Sequence, residues 1–351
     1  MLEDRVVGCL LGTAVGDALG LPFEGLSRRR GVRLVGSPDR HRFLWGRGMI
    51  SDDTEHTCLV AASFLAAGDD LDRYERDLAR RLRWWLLGAP AGVGLATLRA
   101  TLRLWLGFSP ARSGVRSAGN GPAMRSAILG ALCDDRERLR AYVHRNSRLT
   151  HTDPRAEQGA LAVALAAHLA ARTEDITPAG FVRQFTELAG PSAAEMRRLL
   201  ENVADSVEEG RTTLAHADAM GLSRGVTGFV CHTVPICIHA WLSHPGDYRS
   251  AVESVIRCGG DADTTAAITG GIVGAAVGRA GIPDEWIAGI REWPRTVAWV
   301  EQLARAAAAS MRGGETLPTV PSLPVCGLLG RNTLFATIVL IHGFRRLLPP
   351  Y

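Results

Sequence analysis

The sequence predicts an all-α protein of a dozen or more helices. Three observations lead there. Apolar residues recur at three- and four-residue spacing, with arginine and acid between them. Alanine is abundant, which favours helix and lets helices approach closely. Alternating strand patterns are almost absent. The chain has 351 residues, 46% hydrophobic and 22% charged, enough to bury a sizeable core and typical of a folded protein.

Taken in order, the N-terminal MLEDRVVGCLLG sets acids before its apolar run, which makes a poor signal peptide. The stretch SDDTEHTCLV (51–60) reads as a helix entry. The run 69–87 carries leucine, tyrosine and tryptophan at helical spacing, and Trp84 and Trp85 read there as core. The runs 156–171, 191–210 and 296–312 repeat the pattern. Glycine- or proline-bearing joints fall near 88–94, 107–122, 221–228 and 279–283. The segment GGETLPTVPSLPVCG (313–327) is the best boundary, dividing a main body, 1–312, from a linker and accessory tail, 313–351. The tail's LFATIVLI suits a strand or a helix and reads as a core-docking element. No apolar run reaches the roughly 20 residues of a membrane span, so none is expected.

The net charge of +4 is small for this length and does not suggest a nucleic-acid binder. All 40 basic residues are arginine, and the absence of lysine excludes Schiff-base chemistry and a P-loop. Seven scattered cysteines with no C-x-x-C pair read as reduced and buried in a cytoplasmic protein, and argue against zinc.

Two clusters carry chemistry. Ser51, Asp52, Asp53 and Thr54 precede one apolar helix. Asp261, Asp263, Thr264 and Thr265 precede another, rich in small residues. One such cluster is an ordinary cap, since acids favour helix N-termini. Two, each with paired carboxylates on helices without charged faces, bring four acids toward the core, and a divalent cation compensates that cost. The all-oxygen donor set suits Mg²⁺, Mn²⁺ or Ca²⁺. Four carboxylates plus a fifth, Glu24 in GDALGLPFEG, suffice for two ions. Glu24 also reads as a plain loop glutamate, and Asp17 as a hydrogen-bonding residue rather than a ligand. In SAGNGPAMR (117–125), Gly119 and Gly121 permit close backbone approach, Pro122 suits a helix's first turn, and Asn120 suits ribose hydroxyls. The same stretch reads as a turn with a cap, and Met124 as pocket wall or core. His151, in RLTHTDPRA, reads as a metal ligand, a base or a satisfied polar residue at a helix start. His232 and His239 read as core.

The set GxxxGDALGLPFE, SDDTEHT, SAGNGPAMR, THTDPRA and CGGDADTTAA, in this order, resembles the ADP-ribosylglycohydrolase family over about residues 5 to 305. The resemblance implies a compact, single-domain orthogonal helical bundle with a centre of two Mg²⁺ or Mn²⁺ ions. It implies ligation by Ser51, Asp52 and Asp53 from one side and by Asp261, Asp263 and Thr264 from the other. Ser51 stands where many members have threonine. Glu24 and Asp53 take the catalytic role of managing a water. Ser117, Gly119, Asn120, Gly121, Met124 and His151 form the substrate wall, and 221–235 resembles the loop over the distal part of the ligand. The segments 28–33 and 82–114 and the tail have no counterpart, which leaves the accepted partner open.

The expected activity is metal-dependent hydrolysis of an N- or O-glycosidic bond to ADP-ribose. The acceptor is a protein side chain (arginine first), a small molecule or a nucleic acid. A non-catalytic binder of ADP-ribose or of an ADP-ribosyltransferase, and a metal phosphohydrolase acting on nucleotide diphosphates, are the alternatives.

Overall fold

The computed structural model describes residues 2–172, 176–311 and 318–345. It is all-α, with nineteen α-helical segments and only isolated β-bridges among the described residues. The apolar runs read from the sequence become the helices Leu71–Leu87, Pro154–Arg172, Ala194–Glu208 and Val297–Ser310. Residues 312–317, the end of the predicted body and the first part of the predicted linker, and 346–351, the end of the tail, lie outside the described residues.

The axis of the molecule is a pair of helices from opposite ends of the chain. Leu2–Gly20 packs along Ala262–Val277. The pairing is written in glycine at every fourth position, the spacing that aligns residues on one helix face. A Cβ on Gly8, Gly12, Gly16 or Gly20 would come within 2.2, 2.2, 2.1 and 2.4 Å of the carbonyl oxygens of Gly274, Gly270, Ala266 and Ala262. Gly270 and Gly274 are equally intolerant, with Cβ distances of 2.3 and 2.2 Å to Gly12 O and Gly8 O. The two backbones therefore touch. Tyr248 fastens the pair by donating its hydroxyl proton to Gly12 O at 2.5 Å. The contact runs on to Gly20, whose Cβ would meet Asp263 Cα at 2.6 Å. That places the segment carrying Glu24 against the second carboxylate cluster.

Pro154–Arg172 and Val230–Ser243 pack on the second helix of this pair, and Asp52–Ala67 closes the other flank with Val297–Ser310. The core is continuous across these elements. Two helices, Leu2–Phe23 and Val325–Phe344, are long and apolar enough to cross a membrane, which corrects the expectation that no run reaches that length. The polar residues that interrupt both runs leave their average hydropathy high. Beyond its partly exposed first turn the first helix is buried in the fold, so its apolarity serves the core; the most apolar stretch of the second is only 22% buried.

The stretch TIVLI is helical, inside Val325–Arg345. This helix docks on the body through Arg331, which is 1% exposed. Arg331 donates to both carboxylate oxygens of Glu292 at 2.8 and 2.9 Å, to Glu55 at 3.3 Å and to Ile50 O at 2.5 Å. Asn332 donates to Gly88 O at 2.7 Å, and Phe335 packs on Phe43.

Candidate active site

Seven stretches of the chain converge on a cavity of about 520 Å³. Glu24, Asp52, Asp53, Asp261, Asp263, Thr264, Ser117, Gly119, Asn120, Gly121, Met124 and His151 line it, so twelve of the thirteen residues singled out in the sequence share one space. The thirteenth, Ser51, sits one residue behind as N-cap of Asp52–Ala67. Cavities of about 420 and 640 Å³ exist elsewhere, but the first has no carboxylate in its lining and the second only Glu253. Chemistry rather than volume marks this one.

The two clusters meet through hydroxyls. Ser51 Oγ accepts from Asp53 N at 3.3 Å and donates to Asp53 Oδ2 at 3.1 Å. Thr264 Oγ1, from the other cluster, donates to the same oxygen at 3.2 Å. Asp53 Oδ1 is buried with no hydrogen-bond partner among the described residues. Asp261 Oδ2 accepts from Asn120 Nδ2 at 2.6 Å, and Asn120 also donates to Thr233 at 3.0 Å. The Asn120 amide nitrogen thus holds a carboxylate in place.

Asp17 is the structural member that sequence reasoning placed correctly in kind but not in weight. It is fully buried, and its Oδ2 accepts from Ser51 N at 2.9 Å, Thr54 N at 3.2 Å and Thr54 Oγ1 at 2.5 Å. It clamps the entry of the helix that presents Asp52 and Asp53. Its Oδ1 has no partner among the described residues.

Burial sets the electrostatics. Asp17 is raised from 3.8 to about 6 by burial, against the pull of its hydrogen bonds to Thr54 and Ser51. Asp52 and Asp263, though Asp52 keeps partial access to the cavity, are pushed well above the usual carboxylate range. Burial leads in both; neighbouring acids follow, Asp17 first for Asp52 and Glu24 first for Asp263. Asp53 is pushed up by burial, then by Asp17 and Asp52. Asp261 is raised by burial and partly relieved by Asn120. A group of buried acids that repel one another is short of positive charge. Orphaned carboxylate oxygens and an oxygen-only donor set fit a hard divalent cation. Among the described residues, no three His, Cys, Asp or Glu side chains are drawn together as a closed metal cluster, so the acids stand around the cavity instead.

Backbone geometry shapes the rest. Gly259 and Gly260 adopt φ of 68° and 82°, open to glycine at little cost. That turn lets two loops dock on it: Gly25 N donates to Gly260 O at 2.7 Å, and Val226 N to Gly259 O at 2.9 Å. Glu24 and the 226–228 loop are thereby held at the mouth of the Asp261 cluster. On the opposite wall a Cβ on Gly121 would lie 2.9 Å from the His151 ring, so glycine there makes room for the imidazole. His151 is held at about 3 by burial and by Arg125, which keeps the ring neutral. Arg125 lies beneath, fully buried, donating to Asn146, Thr150 and His56 at 2.8 to 3.1 Å. Arg125 closes the SAGNGPAMR stretch but was given no role there, and nothing local in the sequence marks Thr97, which also lines the cavity.

A bundle built on a glycine-paired helix axis, with two aspartate clusters at the entries of inward-facing helices around one cavity, defines a class, and comparison with known proteins agrees. The ADP-ribosylglycohydrolase family profile matches residues 1–316, and the chain belongs to that family. It is 28% identical over 305 residues to the ADP-ribosyl-[dinitrogen reductase] glycohydrolase of Rhodospirillum rubrum, covering 82% of this chain and 90% of that one. It is 28% identical over 329 residues to the ADP-ribosylhydrolase ARH3 of Gallus gallus, covering 80% and 88%. A solved ADP-ribosylglycohydrolase-related protein complex superposes with a TM-score of 0.64 at 26% identity, over 88% of this chain and 99% of that one.

Proposed function

We propose that this family member is a metal-dependent hydrolase that cleaves the glycosidic bond between ADP-ribose and a modified protein side chain, reversing ADP-ribosylation. The observation that carries the reading is the meeting of both aspartate clusters, Glu24 and the 117–121 loop in one cavity. Ser51, Asp52 and Asp53 on one side and Asp261, Asp263 and Thr264 on the other would hold two Mg²⁺ or Mn²⁺ ions. Bound there, such ions would supply Lewis-acid chemistry, holding sugar hydroxyls and making water more acidic. Glu24, open to the cavity at the end of its turn, orients that water or takes its proton, with Asp53 as the other candidate. The surrounding carboxylates stabilise positive charge developing at the anomeric carbon. Neutral His151, beside Gly119 and Gly121, offers a wall for ribose or phosphate without adding charge. Arginine is the first acceptor to test, by likeness to the ADP-ribosylarginine hydrolase Tri1 of Pseudomonas putida, and serine the second. Seven unbridged cysteines support a cytoplasmic setting.

The test is product analysis on arginine- and serine-linked substrates with Mg²⁺ or Mn²⁺. Free ADP-ribose, lost on adding EDTA, is the expected product. AMP with ribose phosphate would instead assign phosphohydrolase chemistry. ADP-ribose binding without turnover would assign a binder.

A further inference from the structure

No acidic residue occurs between Asp77 and Asp134, while eight arginines do. Arg125 is buried under the cavity, and Arg80 and Arg81 are paired with Asp77 at 2.5 Å. Arg83, Arg99, Arg103, Arg112 and Arg116 have no ion pair among the described residues. The stretch forms one rim of the cavity. Gly92, Gly94 and Leu95 line its mouth, between the helices Leu71–Leu87 and Leu95–Trp105.

The rim is also apolar on its outer face. Trp84 is 62% exposed, Leu102 47%, Leu106 78% and Phe108 49%. These side chains are held in place: Trp84 and Trp105 meet edge to face at 5.9 Å, and Trp105 Nε1 donates to Arg83 O at 3.3 Å. The Arg83 and Arg103 guanidiniums lie over Trp105 and Phe108 at 5.5 and 5.9 Å. Exposed aromatics and arginines, fixed before contact, are the composition of a protein-binding patch.

We propose that this rim docks the protein that carries the ADP-ribosyl group, and that it takes an acidic, partly apolar face; the proposal rests on the hydrolase reading above. Charge complementarity selects the acidic partner, since a surface without carboxylates repels a basic one. The leucines need an apolar counterpart, which a phosphodiester backbone does not offer. The edge-on Trp84–Trp105 pair presents no parallel platform for bases, so a folded protein fits better than a nucleic acid. Continuity with the mouth means that a partner seated on the rim delivers its modified side chain into the cavity.

The test uses the full chain and three substrates of whichever linkage the wild type cleaves: an acidic carrier protein, a basic carrier protein and the free ADP-ribosyl amino acid. The variants are Arg99→Glu with Arg112→Glu, and separately Trp105→Ala. KM for the acidic carrier should rise ~10-fold or more in both, with kcat and the small substrate unchanged. The wild-type KM for that carrier should also rise with salt. Equal losses on carrier and free amino acid, or no loss on either, would overturn the docking surface. So would loss of a dimer in sedimentation, or a single-stranded oligonucleotide that binds the wild type but not the double variant. Wild-type cleavage of none of the three substrates overturns the hydrolase reading and takes the docking surface with it. Turnover with an unaffected KM overturns the surface alone.

Discussion

Glu24 follows the short turn Leu21–Phe23 and reaches the cavity with backbone held by the Gly25–Gly260 bond. Its side chain lines that cavity beside both aspartate clusters, the position a general base would need. Glu24→Gln keeps shape and polarity but removes the base. Turnover should fall by ~10²-fold, while calorimetric affinity for ADP-ribose with Mg²⁺ present changes little. An affinity collapse with turnover intact would make Glu24 a positioning residue and move the base to Asp53. At this scale the site was largely legible, because each cluster is local: two carboxylates and hydroxyls before an apolar run. The misreadings are equally physical. Trp84 and Trp85 were expected in the core together, but neighbours on a helix point about 100° apart. Trp85 is buried and donates to Glu55 at 2.6 Å, and Trp84 faces out.

Among elements, the paired glycine helices and the C-terminal helix make the sharpest claims. Gly16→Ala would set a methyl 2.1 Å from Ala266 O, a backbone atom that cannot swing away. The helices must part, at a cost of ~3 kcal/mol, and Glu24 then moves from Asp263. Denaturant melts should show the loss, and Mg²⁺ affinity should weaken with it. A variant as stable as wild type would mean the axis yields more than its contacts suggest. Arg331 lies beyond the family match yet bonds the residue before Ser51. Removing it leaves Glu292 and Glu55 buried with a cation missing, although Arg295 still pairs with Glu55 at 2.7 Å. Arg331→Met should cost ~3–5 kcal/mol, and deletion from Val325 onward should lower the melting temperature as well. An unchanged melting temperature in both would mark the tail as dispensable. Neither the Arg331 network nor the Asp17 clamp could be read from the sequence, because their partners stand 281 and 34 residues away and no periodicity links them.

For the whole molecule, pH and metal act through one set of buried acids. Asp17, raised to about 6 from 3.8, binds more proton folded than unfolded between those values. Stability of the metal-free protein therefore falls as pH rises through that interval, and Asp52, Asp53 and Asp263 push the same way. Melting temperature without metal should drop from about pH 4 to about pH 6, and saturating Mg²⁺ should restore it, with ~3 kcal/mol expected at a hundredfold excess over Kd. Asp263→Ala should blunt the metal response. A melting temperature that climbs over this range without metal would show the acids ionised and otherwise compensated. The helical fold itself was plain in the sequence, since its spacing and alanine content repeat along the chain. Which helices pair was not, because glycine spacing names a face and not its partner.

The axis also sets a schedule for making the protein. Gly16 leaves the ribosome long before Ala266, the residue it must touch. At ~5–20 residues per second, the intervening 250 or so residues take roughly 12–50 s to synthesise. Throughout that time a long apolar helix of the body waits without its counterpart, and the candidate cavity has only one of its two walls. Nascent chains of this protein should therefore depend on a holding chaperone for their first segment, and activity should appear only after nearly the last part of the body has emerged.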